Sequence, residues 1–446
     1  GTINLKTGGK TMQTIIGAVL LVSFFAFIYY AARGGNMLLG LFCMAMLWSA
    51  LGAIGGVVNW ETVNKTVIQG GPEGFGPTAV NIMFGSWFGR VLIETGIART
   101  IIRKAVELGG DKPSLTTVLL CIVVACIFTT AYGAGAVVAI GVIVFPIMLS
   151  LGVSKPLATG SFVMAVSAGL YFNSSLLSQA AGTMVINDQK YDFANPTWYT
   201  FAGIAMALQL LFTIILVIVQ INRERKVQAW AAQEVDLNPE LKNVNFLACL
   251  TPVLPVFFAI VFKLSSIAAI VVSVAWALIT TGNFRRWNDI GSLIEKTFHD
   301  GTSDVGLVLA FLLFMQMFAK AAGACKDLLA PIVSPILPEN LFLLFLVFGI
   351  LGILALFRGP LTIWGAGTAT FAIIASTGLY PLSILYPLFY IPCVAINTSI
   401  CPTQSWVSWA IGYNKVSIKD HLKRVLPYSL VLVFVLEIIA YFIFAA

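Results

Sequence analysis

Apolar runs follow one another along this chain and leave little room for anything else. They fall at about 12–31, 36–58, 77–96, 114–130, 135–150, 156–172, 197–221, 246–263, 265–281, 304–322, 340–357, 363–377, 381–396 and 426–445. Several reach the length of about 20 residues that a helix needs to cross the apolar core of a bilayer. Of the 446 residues, 59% are hydrophobic and 10% charged, and a water-soluble domain cannot hide that much apolar surface. The sequence therefore predicts an all-α polytopic membrane protein and excludes a soluble enzyme.

The net charge is +7. With the N-terminus placed outside, most basic residues fall in loops on the inner side, among them Arg99, Arg103, Lys104, Arg223, Arg225, Arg285, Arg286, Lys419 and Lys423. That bias predicts both termini outside and the polar segment 222–245, NRERKVQAWAAQEVDLNPELKNVN, in the cytoplasm. It gives no reason to expect a nucleic-acid partner. The seven Cys show no metal-ligand spacing and read as core filler, and the only His are His299 and His421. No metal site or cofactor is expected, with Na⁺ entering only as a coupling ion. The opening GTINLKTGGK is assigned no role.

The linker divides the chain into halves that share landmarks. Trp60 precedes Gly96, and Trp287 precedes Gly323, by the same 36 residues. TTAYGAGA (129–136) matches TIWGAGTA (362–369), and Asn173-Ser174-Ser175 matches Asn397-Thr398-Ser399, with Gln179 and Gln404 shortly after. An odd number of crossings per half makes the second copy enter from the opposite side, which is an inverted-topology repeat. The first repeat is set at 12–221, with a hairpin at 114–150 and a broken helix at 156–186. The second is set at 246–445, with a hairpin at 340–377 and a broken helix at 381–412. Short paired runs fit re-entrant hairpins, leaving about ten full transmembrane helices.

Interrupted helices at corresponding places of two inverted halves point to a substrate site. Asn, Thr and Ser compete for backbone hydrogen bonds and help to unwind a helix. Freed N–H and C=O groups cannot face lipid but can face a polar ligand. The plainer reading makes these residues glue between helices. The stretches holding Thr129, Thr130, Gly133 and Gly135, and Arg358, Gly359, Thr362, Gly365, Gly367 and Thr368, read as hairpin tips where backbone approaches a ligand. Arg358 stands alone in an uncharged hairpin and could fork onto a carboxylate or snorkel to the interface. Arg90 and Glu94, four apart, suggest an intrahelical pair, with Glu94 alternatively a protonatable coupling group. Asp304 reads as a first-turn residue, Glu437 as interfacial and His299 as surface. No phosphate-cradling G-x-x-x-x-G-K-[ST] occurs, so coupling to an ion gradient is expected.

FGSWFGRVLIETGIARTIIRKAVELGG and FPIMLSLGVSKPLATGSFVMAVSAG are similar to the first-half pattern of gluconate permeases and citrate transporters. These belong to the ion transporter superfamily, which also includes the divalent anion–sodium symporters. YFNSSLLSQAAG (171–182) stands where gluconate permeases carry a Pro-His-Pro-type loop. The Asn triads resemble, in permuted order, the Ser-Asn-Thr signatures of the symporters. The resemblance implies scaffold and transport domains, two re-entrant hairpins, a homodimer and elevator-type alternating access. By position, the tips fall at 129–136 and 358–368 and the breaks at 173–179 and 397–404.

The expected function is secondary active transport of a small organic anion, a carboxylate or sugar acid, with Na⁺ or H⁺. Substrate donors would come from Asn173, Ser174, Ser175, Gln179, Asn397, Thr398, Ser399, Gln404 and the tips. A coupling ion would sit near Asn173 and Asn397. The expected location is the inner membrane of a bacterium. A cation/proton antiporter and an anion channel are the other readings.

Overall fold

The computed structural model describes residues 3–224 and 243–445, so most of the 222–245 linker lies outside the described residues. The first half contains α1 (Ile3–Ala32), α2 (Met37–Ile54), α3 (Gly70–Glu94), α4 (Ile97–Gly109), α5 (Pro113–Phe128), α6 (Ala134–Ser150), α7 (Lys155–Gly169), α8 (Ser174–Thr183) and α9 (Pro196–Glu224). The second half contains α10 (Phe246–Cys249), α11 (Leu254–Val261), α12 (Ser266–Thr280), α13 (Trp287–Ala324), α14 (Lys326–Val333), α15 (Leu341–Ile350), α16 (Gly367–Ser376), α17 (Leu382–Pro392), α18 (Ser405–Tyr413) and α19 (Ile418–Phe444). A two-residue antiparallel hairpin, β1 (Val185–Ile186) with β2 (Gln189–Lys190), follows α8.

Local sequence explains many of these boundaries. Pro113 and Pro156 sit in the first turns of α5 and α7, where a missing N–H costs nothing. Asn36, Asn173, Asn340 and Ser417 cap α2, α8, α15 and α19 with their side chains. Thr62–Gln69 and Cys393–Thr398 are π-helical, and Leu351–Arg358 winds as 3₁₀.

Six helical segments are long and apolar enough to cross a membrane: Thr11–Ala32, Met37–Ile54, Pro196–Glu224, Trp287–Ala324, Leu341–Arg358 and Ile418–Phe444. A seventh crossing arises if α7 and α8, bent by 74° at their break, count as one span. Of the remaining apolar runs, 77–96 lies mainly in the 25-residue α3, which is less apolar than these six, and the others form shorter helices. This is a multi-pass membrane protein.

Two packed groups carry the architecture. In one, α13 lies along α3 and α2, and α1 packs on α2 and α14. In the other, α19 packs on α15, α9, α17 and α7, while α5 packs on α7 and α9. Between them, α8 and α6 pack on α3, and α16 packs on α13 and α14. The arms of the 341–376 hairpin therefore splay, with α15 on α19 and α16 on the α13 side.

Small residues line the contact between the groups. A Cβ on Gly85 would stand 1.9 Å from the Ser175 Oγ, and one on Gly89 would stand 3.1 Å from the Ala136 Cβ. Without hydrophobic drive between helices in lipid, such close backbone approach supplies the packing.

Candidate functional site

The first tip, Thr129–Gly133, joins α5 to α6. Gly133 has φ +105°, which a side chain would strain. Gly135 lies so close to α13 that a Cβ there would be 2.0 Å from the Asp304 Oδ2. Asn173 binds the tip from behind: its Nδ2 donates to Phe128 O (3.0 Å) and Ala131 O (2.9 Å), while its Oδ1 accepts from the N–H groups of Ser175 and Leu176. Every polar atom of Asn173 is thus used within the protein. Asn173→Ala is expected to lower stability by about 2 kcal/mol, read as a reduced melting temperature in detergent.

Thr129 and Thr130 are turned toward the segment before α11. Both hydroxyls donate to Pro252 O, at 3.3 and 2.9 Å. With Ser174 they line a cavity of about 260 Å³ against α11 and α12. Ser175 donates to Asn81 O at 3.0 Å.

The second tip is more strained. Phe357 and Arg358 both take left-handed backbone, at φ +52° and +56°, a conformation that non-glycine residues hold only when the surroundings impose it. The surroundings are visible. Thr362 Oγ1 donates to Ala355 O and Thr368 Oγ1 to Ile363 O, both at 2.6 Å. Cβ atoms on Gly359, Gly365 and Gly367 would meet Leu354 O, Arg358 O and Thr362, at 2.2 to 2.4 Å. Two buried cysteines tie this tip to the second broken helix. Cys401 Sγ accepts from the Phe357 N–H (3.1 Å) and Cys393 Sγ from the Ile363 N–H (3.3 Å). These thiols are more than the filler expected.

Arg358 bridges the tip and the second break. Its Nη1 donates to Trp364 O (2.8 Å) and its Nη2 to Thr403 O (3.4 Å), with the guanidinium 5.0 Å above the Phe311 ring of α13. No ion pair to it occurs among the described residues, and the side chain remains partly exposed. Tyr132 of the first tip lies within its electrostatic reach. The Tyr132 hydroxyl donates to Gln179 Oε1 (2.7 Å), and its ring meets Trp406 edge-on, centroids 6.2 Å apart. Arg358, Tyr132, Gln179, Thr403, Gln404 and Trp406 thus gather where both tips and the second break converge.

The Asn triads sit differently from one another. Asn173 is the N-cap of α8, after the break at 170–173. Asn397, Thr398 and Ser399 lie before the second break, in the π-helical turn and the residues after it, and the chain opens only at 401–404. Gln404 occupies the N-cap place of α18. The expectation that 397 opens the break is corrected: Pro402 and the thiol-bonded Cys401 end the helix there. Asn397 is wholly buried with both side-chain polar atoms unpartnered.

The two broken helices are nevertheless joined. Thr398 and Ser167 hydroxyls lie 3.2 Å apart, Tyr390 OH donates to Leu170 O (2.7 Å), and Tyr386 OH to Leu177 O (2.9 Å). Gln209 Nε2 reaches Met164 O (3.0 Å) and Ser399 Oγ (3.2 Å).

Three charged residues also depart from expectation. Arg90 pairs with Asp304, not Glu94, through Nε–Oδ2 (2.6 Å) and Nη2–Oδ1 (2.7 Å). Asp304 lies inside the 38-residue α13, not at a helix start. Glu94 pairs with Lys296 at 2.9 Å on a largely exposed site, which removes the motive for a coupling role. Among the described residues, no group of three or more His, Cys, Asp and Glu is placed to hold a metal ion.

A cavity of about 600 Å³ leads toward the site from the end that bears the β-hairpin. Lys190, Lys320 and Lys326, with Asp188 and Asp327, line it, and Gln316, Thr183 and Thr368 lie deeper. Lys320 pairs with Asp188 at 3.2 Å, and Lys190 donates to Gly74 O at 3.1 Å. Partial burial, then the Lys320 charge, push the Lys190 ammonium below its usual range. Thr183 is one helical turn from Gln179, so the cavity ends about 6 Å along α8 from the Tyr132–Gln179 pair.

Tyr132, Trp406, Gln209 and the two cysteines were missed from sequence. One signal was present: an aromatic precedes Gly-Ala-Gly at both tips, Tyr132 in the first and Trp364 in the second.

No family model matches this sequence, and no curated protein does. Among solved structures, the YdaH transporter of Alcanivorax borkumensis, described as having an unusual topology, aligns with a TM-score of 0.56. The alignment covers 91% of this chain and 97% of that one, at 16% identity. The chain therefore has a transporter-like fold.

Proposed function

We propose that this protein is a secondary active transporter of a small organic anion, a carboxylate or sugar acid, driven by Na⁺ or H⁺. The reading rests on Arg358, a guanidinium with no carboxylate partner among the described residues, held on two carbonyls where the tips converge. A lone cation at membrane depth calls for an anion or water, and arginine presents a fork that fits a carboxylate. Tyr132, Gln179 and Gln404 supply polar contacts around it. The lysine-lined cavity raises the local concentration of anions.

In this reading the halves are inverted repeats that form a homodimer in the inner membrane of a bacterium. The hairpins and broken helices move as a block past α2, α3 and α13, along the glycine-lined contact. The reconstituted protein should take up members of a panel of carboxylates and sugar acids only when a Na⁺ or pH gradient is imposed. Continuous gradient-independent flux would identify a channel instead, and flux of ions alone an antiporter.

A further inference from the structure

Glu437 lies in α19, seven residues from its end and roughly 10 Å along the helix axis. Sequence placed it at the interface, but its exposure is 0%, and neither carboxyl oxygen has a hydrogen-bond partner among the described residues. The surface above it is α15, LFLLFLVFGI, which has no ionisable side chain. Gly349 lets α15 settle directly onto it: a Cβ at 349 would stand 3.4 Å from the Glu437 Cβ and 3.2 Å from the Phe434 Cα. Gly352 does the same over Val433, where an added Cβ would lie 2.7 Å from Cγ1.

The other elements on α19 bring no cation to it. The π-helical turn packed against α19 carries Cys393, and the first break carries Tyr171, neither of them a cation. Tyr386 and Tyr390 of α17 donate to Leu177 and Leu170 carbonyls. Tyr199 of α9 stacks on Phe172, and Arg223 and Glu224 lie at the far end of that helix, where Glu224 pairs with Arg424. Lys155 begins α7, Arg358 is held by Trp364 and Thr403, and on α19 itself the nearest cation, Arg424, lies more than three turns away and binds Glu224 and Gln220, while Tyr441, one turn along, packs on Phe342 and Phe345 of α15. An ionised carboxylate without partner or water is far costlier than a neutral carboxyl in the same place. Asn397, one turn past Cys393 on the turn packed against α19, is a second wholly buried side chain with unpartnered polar atoms.

We propose that Glu437 is the proton-binding group of this transporter. The carboxylate takes a proton from water on one side, forming its O–H bond as α15 closes over it. The same bond breaks to water when the α15–α19 contact parts. Cys393 accepts from the Ile363 N–H of the second tip and lies on the π-helical turn packed against α19, so the helix that carries Glu437 touches the element that anchors the tip. The inference deepens the transport reading by naming H⁺ as the driving ion, and rests on it for the coupling alone.

Infrared spectra of the purified full-length protein at neutral pH should contain a protonated-carboxyl C=O band that Glu437→Gln removes. An unchanged band would overturn the proposal whether or not any anion is carried. In proteoliposomes with citrate, succinate and gluconate as probes, E437Q should keep counterflow but lose about tenfold or more of the uptake driven by a pH gradient. Glu437→Asp, which keeps the carboxyl, should retain both activities and shows that the site tolerates substitution. Normal gradient-driven accumulation by E437Q would overturn the proposal. Absence of counterflow for every anion in the wild type would instead overturn the transport reading and leave the infrared result standing.

Discussion

Arg358→Ala should lower organic-anion uptake by roughly thirtyfold or more, with the protein still inserted. Truncating one partner of a desolvated charge pair costs about 2–5 kcal/mol, and each 1.4 kcal/mol is a factor of ten. The loss should appear in binding, measured as a raised half-saturation concentration, because among the described residues the guanidinium is the only unpaired cation where the tips meet. Arg358→Lys separates charge from shape. An ammonium keeps the charge but cannot reach Trp364 O, Thr403 O and a carboxylate in one plane. It should recover only part of the uptake. Full activity in R358A would remove the anchor from the site and with it the argument for an anionic substrate.

The second large effect concerns Arg90 and Asp304. This bidentate pair joins α3 to α13, with side-chain exposures of 24% and 14%. Asp304→Ala leaves the guanidinium without its carboxylate in a poorly solvated place, at an expected cost of about 3 kcal/mol. A thermal melt in detergent should show it as a clear fall in melting temperature. Removing both partners should cost less than removing Asp304 alone, because no stranded charge remains. By contrast, breaking the exposed Lys65–Glu61 pair should change stability by under about 1 kcal/mol. Additive losses in the double mutant would mean that the two residues act through separate contacts.

Much of the scaffold was legible because its signals are local. Proline at the first turn of α5 and α7, and asparagine as a cap at 36, 173 and 340, mark helix starts wherever they occur. Apolar runs reveal helices by length alone. The choice of partner is not local. Glu94 is four residues from Arg90, a spacing that invites pairing, yet Asp304, 214 residues away, wins with two short hydrogen bonds. Asp304, expected in a first turn, lies mid-helix because α13 runs on through it, packed along α2 and α3. Sequence also equated the two Asn triads by their similar composition and the glutamine that follows each. The π-helical turn at 393–398 moves the second break past Asn397, and no composition signal announces that turn. Thr129 and Thr130 fall at the first tip, but which way their hydroxyls head was not legible, since side-chain heading within a turn depends on the neighbour, here Pro252.

The fastening of the second tip has a kinetic meaning. Sulfur is a weak donor and a weak acceptor, so the contacts of Cys393 and Cys401 to the tip N–H groups hold it far less firmly than amide oxygens would. Asn173 fastens the first tip with two amide donations of ordinary strength. The second tip, held to its helix by two sulfur contacts and the long Arg358–Thr403 bond, should therefore part from it more readily than the first tip parts from Asn173.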